Sequence, residues 1–231
     1  MRKYLQDHGI DPATDPAAWS GLARHEALKL GVNEKYTSEN VRKDRVAIKT
    51  LPGRPLLVGS DQLMLPPSAH LDLNWQWVAK NSRHESVLLI ENWESFELTH
   101  KTPFLHGLPG NPLVVFRGAP YIYNNRDSIS LLKALQRVVF AFVDFDPEGL
   151  VIANALPHFA RFLAPSDAVL EKLMGGAANK TRYEAQLGQN LSVLDSLDHP
   201  DLVRVQRVIR SLGMALPQER LIGLEGVSPA L

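Results

Sequence analysis

Three continuous apolar runs dominate the middle of the chain: Ser86-Val-Leu-Leu-Ile90, Pro112-Leu-Val-Val-Phe116 and Val138-Val-Phe-Ala-Phe-Val143. Runs of this length without polar alternation predict strands covered on both faces, as in a parallel sheet. Between the second and third, Asp127 or Ser128 is placed to cap a helix carrying Leu131, Leu132, Leu135 and Val138. After the third, Asp146-Pro147 pairs an acceptor with a proline at the first helical position, and Leu150, Val151, Ala153, Asn154 and Leu156 continue that helix. A fourth short strand is expected around residues 161–164. The rhythm predicts βαβ units with right-handed crossovers, an α/β core over residues 84–165.

The flanks read differently. Residues 1–83 look mixed. Asp15-Pro16 marks a helix start, followed by Trp19, Leu22, Ala23 and Ala27 at helical spacing up to Gly31, and Thr37-Ser38 could start a short helix through Val41. Residues 45–50, 55–59 and 62–65 read as short strands separated by Gly, Pro and Asp. Residues 166–231 look helical. One segment opens at Ser166-Asp167 and closes at Gly175-Gly176. Thr181-Arg-Tyr-Glu184 has the form of a capping box ahead of Leu187, Leu191 and Leu194. Pro200 starts a third helix with Leu202, Val205, Val208, Ile209 and Leu212 inward and Gly213 at its end.

Composition narrows the function classes. Apolar residues make up 45% of the chain and charged residues 22%, values that exclude a wholly disordered protein. No apolar run approaches the ~18 residues of a membrane helix. The N-terminus lacks the apolar stretch of a secretory signal. The absence of cysteine excludes disulfide scaffolds, thiolate zinc sites and cysteine catalysis. These features suit a cytoplasmic protein with no membrane partner. Twenty-five basic residues balance 25 acidic ones, so a DNA partner needs a local patch. Arg42, Lys43, Arg45, Lys49 and Arg54 around Asp44 read either as a solvated face or as a phosphate-contacting patch, and Arg204, Arg207 and Arg210 form a second basic stripe. The eight histidines show no metal-ligand spacing.

The placement of acids carries the chemistry. In a parallel α/β sheet, ligands collect outside the carboxyl ends of the strands. The first run ends in Glu91-Asn92, the second in Arg117-Gly118, the third in Asp144-Phe145-Asp146-Pro147-Glu148-Gly149. Alternation along an extended chain puts Asp144 and Asp146 on one side and Phe145 on the other. Two carboxylates so close suit a shared hard cation, and oxygen-only ligation favours magnesium or manganese. The same Asp146 is also a good N-cap by itself, and the amides of the following helix would favour an anion such as phosphate.

Glu91, Gly118 and Asp144-x-Asp146 at successive strand ends resemble the Toprim domain of topoisomerases, bacterial-type primases and several nucleases. Asp144-Phe-Asp146-Pro147-Glu-Gly149 is similar to the version in the topoisomerase VI A subunit. Glu91-Asn92-Trp-Glu-Ser-Phe96 and Leu216-Pro-Gln218-Glu219-Arg220-Leu221 resemble stretches of the Toprim nuclease subunit of bacterial Wadjet and Mks systems. The resemblance implies a Toprim (Rossmann-like) core with about four parallel strands, flanked by a small mixed N-terminal region and a helical C-terminal part. It implies a metal-dependent DNA endonuclease acting with an SMC-type ATPase complex in plasmid defence. Asp144 and Asp146 would hold Mg2+ or Mn2+, and Glu91 would act as general base or acid or complete the metal shell. Glu148 could ligate a second ion or merely compensate the helix dipole, and Glu219 could reach the same centre. Glu94 and Asn92 are weaker candidates.

A tyrosine-dependent topoisomerase fits poorly, because Tyr4 and Tyr36 lie in no recognisable winged-helix setting. A haloacid-dehalogenase phosphatase fits poorly too, since its Asp-x-Asp normally closes the first strand. The remaining alternative is a non-catalytic Toprim-fold subunit binding DNA or an SMC partner. A homodimer is left open.

Overall fold

The three apolar runs lie side by side inside a six-stranded sheet. The computed structural model describes residues 42–177 and 179–230, together with 2–7, 9–11, 13–19, 22, 26 and 29. The chain divides into two units, Met1–Lys43 and Asp44–Leu231. In the first, helix α1 covers Arg2–Asp7 and a 3-10 turn covers Pro16–Trp19. Asp15 Oδ1 accepts from Ala17 N at 2.8 Å, so Asp15 caps the turn that Pro16 opens. Ala23, Ala27, Gly31, Tyr36, Thr37, Ser38 and Val41 lie outside the described residues.

The second unit begins with β1 (Arg45–Lys49), the hairpin strands β2 (Leu56–Val58) and β3 (Asp61–Leu63), β4 (Leu71–Asn74) and α2 (Trp75–Asn81). Then come β5 (Ser86–Ile90), α3 (Trp93–Glu97), α4 (Pro103–His106), β6 (Leu113–Phe116), α5 (Asn125–Leu135), β7 (Val138–Phe142), α6 (Pro147–Asn154) and β8 (Phe159–Phe162). The chain finishes with α7 (Asp167–Ala177), α8 (Lys180–Leu194), α9 (Pro200–Leu212) and a 3-10 turn at Gln218–Leu221.

The sheet order is β4-β1-β6-β5-β7-β8. The four strands β6, β5, β7 and β8 are parallel, whereas β1 is antiparallel to both β6 and β4. The sheet is therefore mixed, and residues 44–83 add two strands to it. The physical reason is the edge of β6. All four of its residues are buried, and an uncovered edge there would leave buried backbone groups unpaired. Strand β1, buried from Val46 to Lys49, pairs with that edge. Burial of Leu88, Leu89, Val114, Val115, Ala141 and Phe142 places the core on both faces of the parallel strands.

Register then sets the site. Ile90 pairs with Phe116 on one side and Phe142 on the other, so residues 91, 117 and 143 leave the sheet in step.

Several local expectations change. Asn124, not Asp127 or Ser128, caps α5, accepting from Arg126 N at 3.0 Å, and the two expected caps are buried inside its first turn. Val138 opens β7 rather than ending that helix. The capping box at Thr181 is not used. Asn179 caps α8 through Arg182 N at 2.9 Å, while Glu184 pairs with Lys180 at 3.6 Å. Helix α7 runs through Gly175 and Gly176. In α9, Pro200 and Gly213 (φ 62) mark the ends as expected, but Leu212 is 41% exposed.

The basic segment around Asp44 is largely structural. Arg45 pairs with Asp72. Arg54 donates to the carbonyl oxygens of Gly110, His106 and Leu108. Lys49 is buried, donating at 3.1 Å to the carbonyls of Phe96 and Glu97 at the end of α3. Arg204 and Arg210 of the second stripe pair with Asp167 and Asp195. No helix among the described residues is long and apolar enough to cross a membrane.

Candidate active site

A cavity of about 420 Å³ opens where β5, β6 and β7 end. Its lining includes Glu91, Trp93, Arg117, Asp144, Arg182 and Glu219. Three elements are brought there by short-range chemistry. Asn92 caps α3 by accepting from Glu94 N at 2.8 Å, so the chain turns immediately after Glu91. Gly118, at φ 115, turns the chain after β6, and a Cβ there would lie 2.8 Å from Asn125 N, so only glycine fits. Asp146 caps α6 by accepting from Gly149 N at 2.7 Å. Gly149 is required by close approach rather than by a special φ, because its Cβ would lie 2.1 Å from the Asp144 carbonyl oxygen.

The fourth element arrives from far along the chain. Phe145, fully buried, pairs with Leu216 in both directions (2.9 and 3.1 Å), which draws the Gln218–Leu221 turn onto the strand ends. Gln218 N then donates to Asp144 Oδ1 at 2.9 Å. The buried Gln218 side chain spans two strand ends, donating to Phe142 O at 3.0 Å and accepting from Asn92 N at 2.9 Å. Glu219 enters the cavity beside it.

Glu91, Asp144 and Asp146 are brought together. Glu91 Oε2 accepts from Asp144 N at 3.2 Å, and its Oε1 lies 3.8 Å from Arg117 Nη1. Arg182 Nη2 lies 2.6 Å from Asp144 Oδ2 and 2.8 Å from Asp146 Oδ2. Gln186 Nε2 reaches Asp146 Oδ2 at 3.2 Å and Glu148 Oε2 at 3.3 Å. Asp146 is 1% exposed and sits behind the cavity lining. Glu148 is exposed in the first turn of α6 and does not line the cavity. The helix amides expected to attract a phosphate are engaged internally, by Asp146 at Gly149 N and by Gln186 at Glu148 N (3.4 Å). Glu94 is exposed outside the lining.

Electrostatics follow from burial and crowding. Burial, then the Asp144 charge, pushes Glu91 up to about 7, with Arg117 and the Asp144 N–H pulling the other way. Burial raises Asp146 against its bond to Gly149 N and the Arg182 charge. Burial also raises Glu219, reinforced by Asp144 and Glu94. Arg182 loses hydration on burial, yet Asp146 and Asp144 outweigh that and hold it above its ordinary value.

Among the described residues no three acidic or histidine side chains already lie together as a metal cage. The donor chemistry nevertheless fits a hard divalent cation. Every candidate ligand is a carboxylate, and Glu219 Oε2 is buried without a hydrogen-bond partner. Among the described residues, the four carboxyls Glu91, Asp144, Asp146 and Glu219 face two guanidiniums, those of Arg117 and Arg182.

Arg182, Arg117, Gln186 and the Gln218 side chain have site roles that sequence reading did not assign. Arg182 carried one signal. Lys180 and Arg182 occupy the first turn of α8, with no acid there, where the helix dipole disfavours cations. A cation so placed needs an external partner. His84 fills a structural post: its Nε2 accepts from Leu57 N at 2.9 Å while Nδ1 faces Asn111 O at 2.8 Å.

Residues 43–226 match the family described as Domain of unknown function (DUF7281), and the chain belongs to that family. No curated protein matches it.

Proposed function

We propose that the chain is a divalent-metal-dependent DNA endonuclease with a Toprim-type core, hydrolysing the phosphodiester bond with water. The observation that carries this reading is the convergence of Glu91, Asp144 and Glu219 with Arg117 and Arg182 on one cavity at the carboxyl ends of parallel strands. Mg2+ or Mn2+ held by Asp144 and Asp146, with Glu91 and Glu219 beside them, would neutralise charge growing on a non-bridging phosphate oxygen. Glu91, pushed up to about 7, exchanges its proton near neutral pH and is suited to act as general base or acid. Arg117 presents a permanent cation to a phosphate in the cavity. Asp146 caps α6 through Oδ1 and turns its other oxygen to the place that Asp144 Oδ2 also faces, so it would hold the ion together with Asp144.

The partner we propose is an SMC-type complex that delivers plasmid or other foreign DNA. Two stretches carry that resemblance, 91–96 and 216–221, and Gln218 joins them through Asn92 N. A chain of zero formal charge whose basic segments are tied up in the fold suits delivered rather than freely captured DNA.

One observation favours the non-catalytic alternative: Arg182 already pairs with both Asp144 and Asp146 and offsets part of their charge. A nicking assay on supercoiled plasmid with Mn2+ or Mg2+ separates the two. Asp144→Asn should lose at least ~100-fold in rate, as for removal of a principal electrostatic group. Equal cleavage by wild type and Asp144→Asn overturns the assignment, and DNA binding without cleavage, with or without the partner complex, supports the alternative.

A further inference from the structure

We infer that Arg182 is an internal counter-cation that occupies the ion position of the resting site and exchanges with the divalent ion when the site loads. The inference rests on the reading above and specifies how that site is regulated. Its basis is the way the two aspartates are held. Asp144 has one oxygen fixed by the main chain, Oδ1 by Gln218 N at 2.9 Å. Asp146 likewise has Oδ1 fixed by Gly149 N at 2.7 Å. Both second oxygens therefore point at one place, and a single atom, Arg182 Nη2, stands there at 2.6 and 2.8 Å.

That is an unusual use of arginine. Guanidinium groups that serve as structural clamps normally present two nitrogens to one carboxylate. Here one nitrogen bridges two carboxylates, as a single ion would. The scaffold holding the aspartates comes from α6 and the Gln218–Leu221 turn, so it does not depend on Arg182. The arginine itself is loosely committed: its side chain is 37% exposed and already lines the cavity. Its release leaves in place the main-chain bonds that hold the two aspartates. Gln186 Nε2 stays on Asp146 Oδ2. Once displaced, the guanidinium remains in the cavity opposite Arg117, where a phosphodiester is the complementary ligand. Metal loading and presentation of the substrate-binding cation thereby become one event.

The test measures Mn2+ binding without DNA, by titration calorimetry and by the paramagnetic resonance of free Mn2+, on wild type, Arg182→Gln and Arg182→Lys. Arg182→Gln should bind Mn2+ about tenfold tighter, the usual worth of a charge-assisted contact removed from competition. It should also bind a short duplex more weakly once loaded. Arg182→Lys, which keeps a cation, should stay near wild type. Because the two aspartates then repel, Arg182→Gln is expected to lose melting temperature in EDTA and to regain it in Mn2+ by more than wild type does. Equal or weaker Mn2+ binding by Arg182→Gln, or a destabilised variant that Mn2+ does not rescue, overturns the inference while wild-type binding keeps the metal site itself intact. Failure of every form to bind Mn2+ overturns the inference and the metal-dependent reading together.

Discussion

Replacing Glu91 by glutamine separates the energetic cost of this site from its function. The carboxyl is pushed from 4.5 to about 7, chiefly by burial and secondly by Asp144. The native state therefore holds a proton that the unfolded chain has released, so stability is full below about 4.5 and falls as pH rises to about 7. At about 1.4 kcal/mol per pH unit, ionising Glu91 in the metal-free fold costs up to about 3 kcal/mol. Glutamine keeps an oxygen to accept from Asp144 N and carries no charge at any pH. In urea denaturation with EDTA, Glu91→Gln should equal wild type within ~0.5 kcal/mol at pH 4.5 and exceed it by about 2–3 kcal/mol at pH 8.5. Mn2+ should narrow or close that gap. Wild type should gain about 2.7 kcal/mol at a hundredfold excess over the dissociation constant, and the variant much less. The difference between variant and wild type isolates Glu91 from Asp146 and Glu219, which are raised in the same direction. A stability difference that does not change between the two pH values would refute the reasoning.

Two predictions concern the scaffold. Gly149→Ala would put a Cβ 2.1 Å from the Asp144 carbonyl oxygen; it should cost more than ~3 kcal/mol in thermal or urea unfolding. A variant of wild-type stability would show that the turn after β7 is not as tight as described. Arg54→Ala removes a guanidinium that donates to three carbonyls, those of Gly110 (2.6 Å), His106 (2.8 Å) and Leu108 (2.7 Å), ahead of β6. It should lower stability by about 2 kcal/mol with no effect on Mn2+ affinity, and a loss below ~0.5 kcal/mol would return this residue to a merely solvated role.

By itself the sequence determined three of the four parallel strands and the places where they end, whereas the fourth, expected over 161–164, lies at Phe159–Phe162. A strand covered on both faces cannot spare a polar position, so 86–90, 113–116 and 138–142 announce themselves as unbroken apolar runs, and the first charged residue after each marks the exit. Local caps were legible where one short stretch suffices, as in Asp146-Pro147 with Gly149 and in Pro200 with Gly213. Where two candidates competed, tertiary packing chose. Thr181 lost to Asn179, whose backbone is already pinned to Ala215 (2.8 and 3.2 Å). Strand β4, Leu-Asp-Leu-Asn, alternates apolar and polar over four residues only, a signal too short to place it without its pairing with β1. The site divides in the same way. Glu91, Asp144 and Asp146 follow from strand ends and β alternation. The partners that set their charge do not, because Arg182 reaches Asp144 across 38 residues and Gln218 N across 74. Contacts of that separation depend on how α6 packs on α8 and on how Phe145 pairs with Leu216, and no local pattern encodes either.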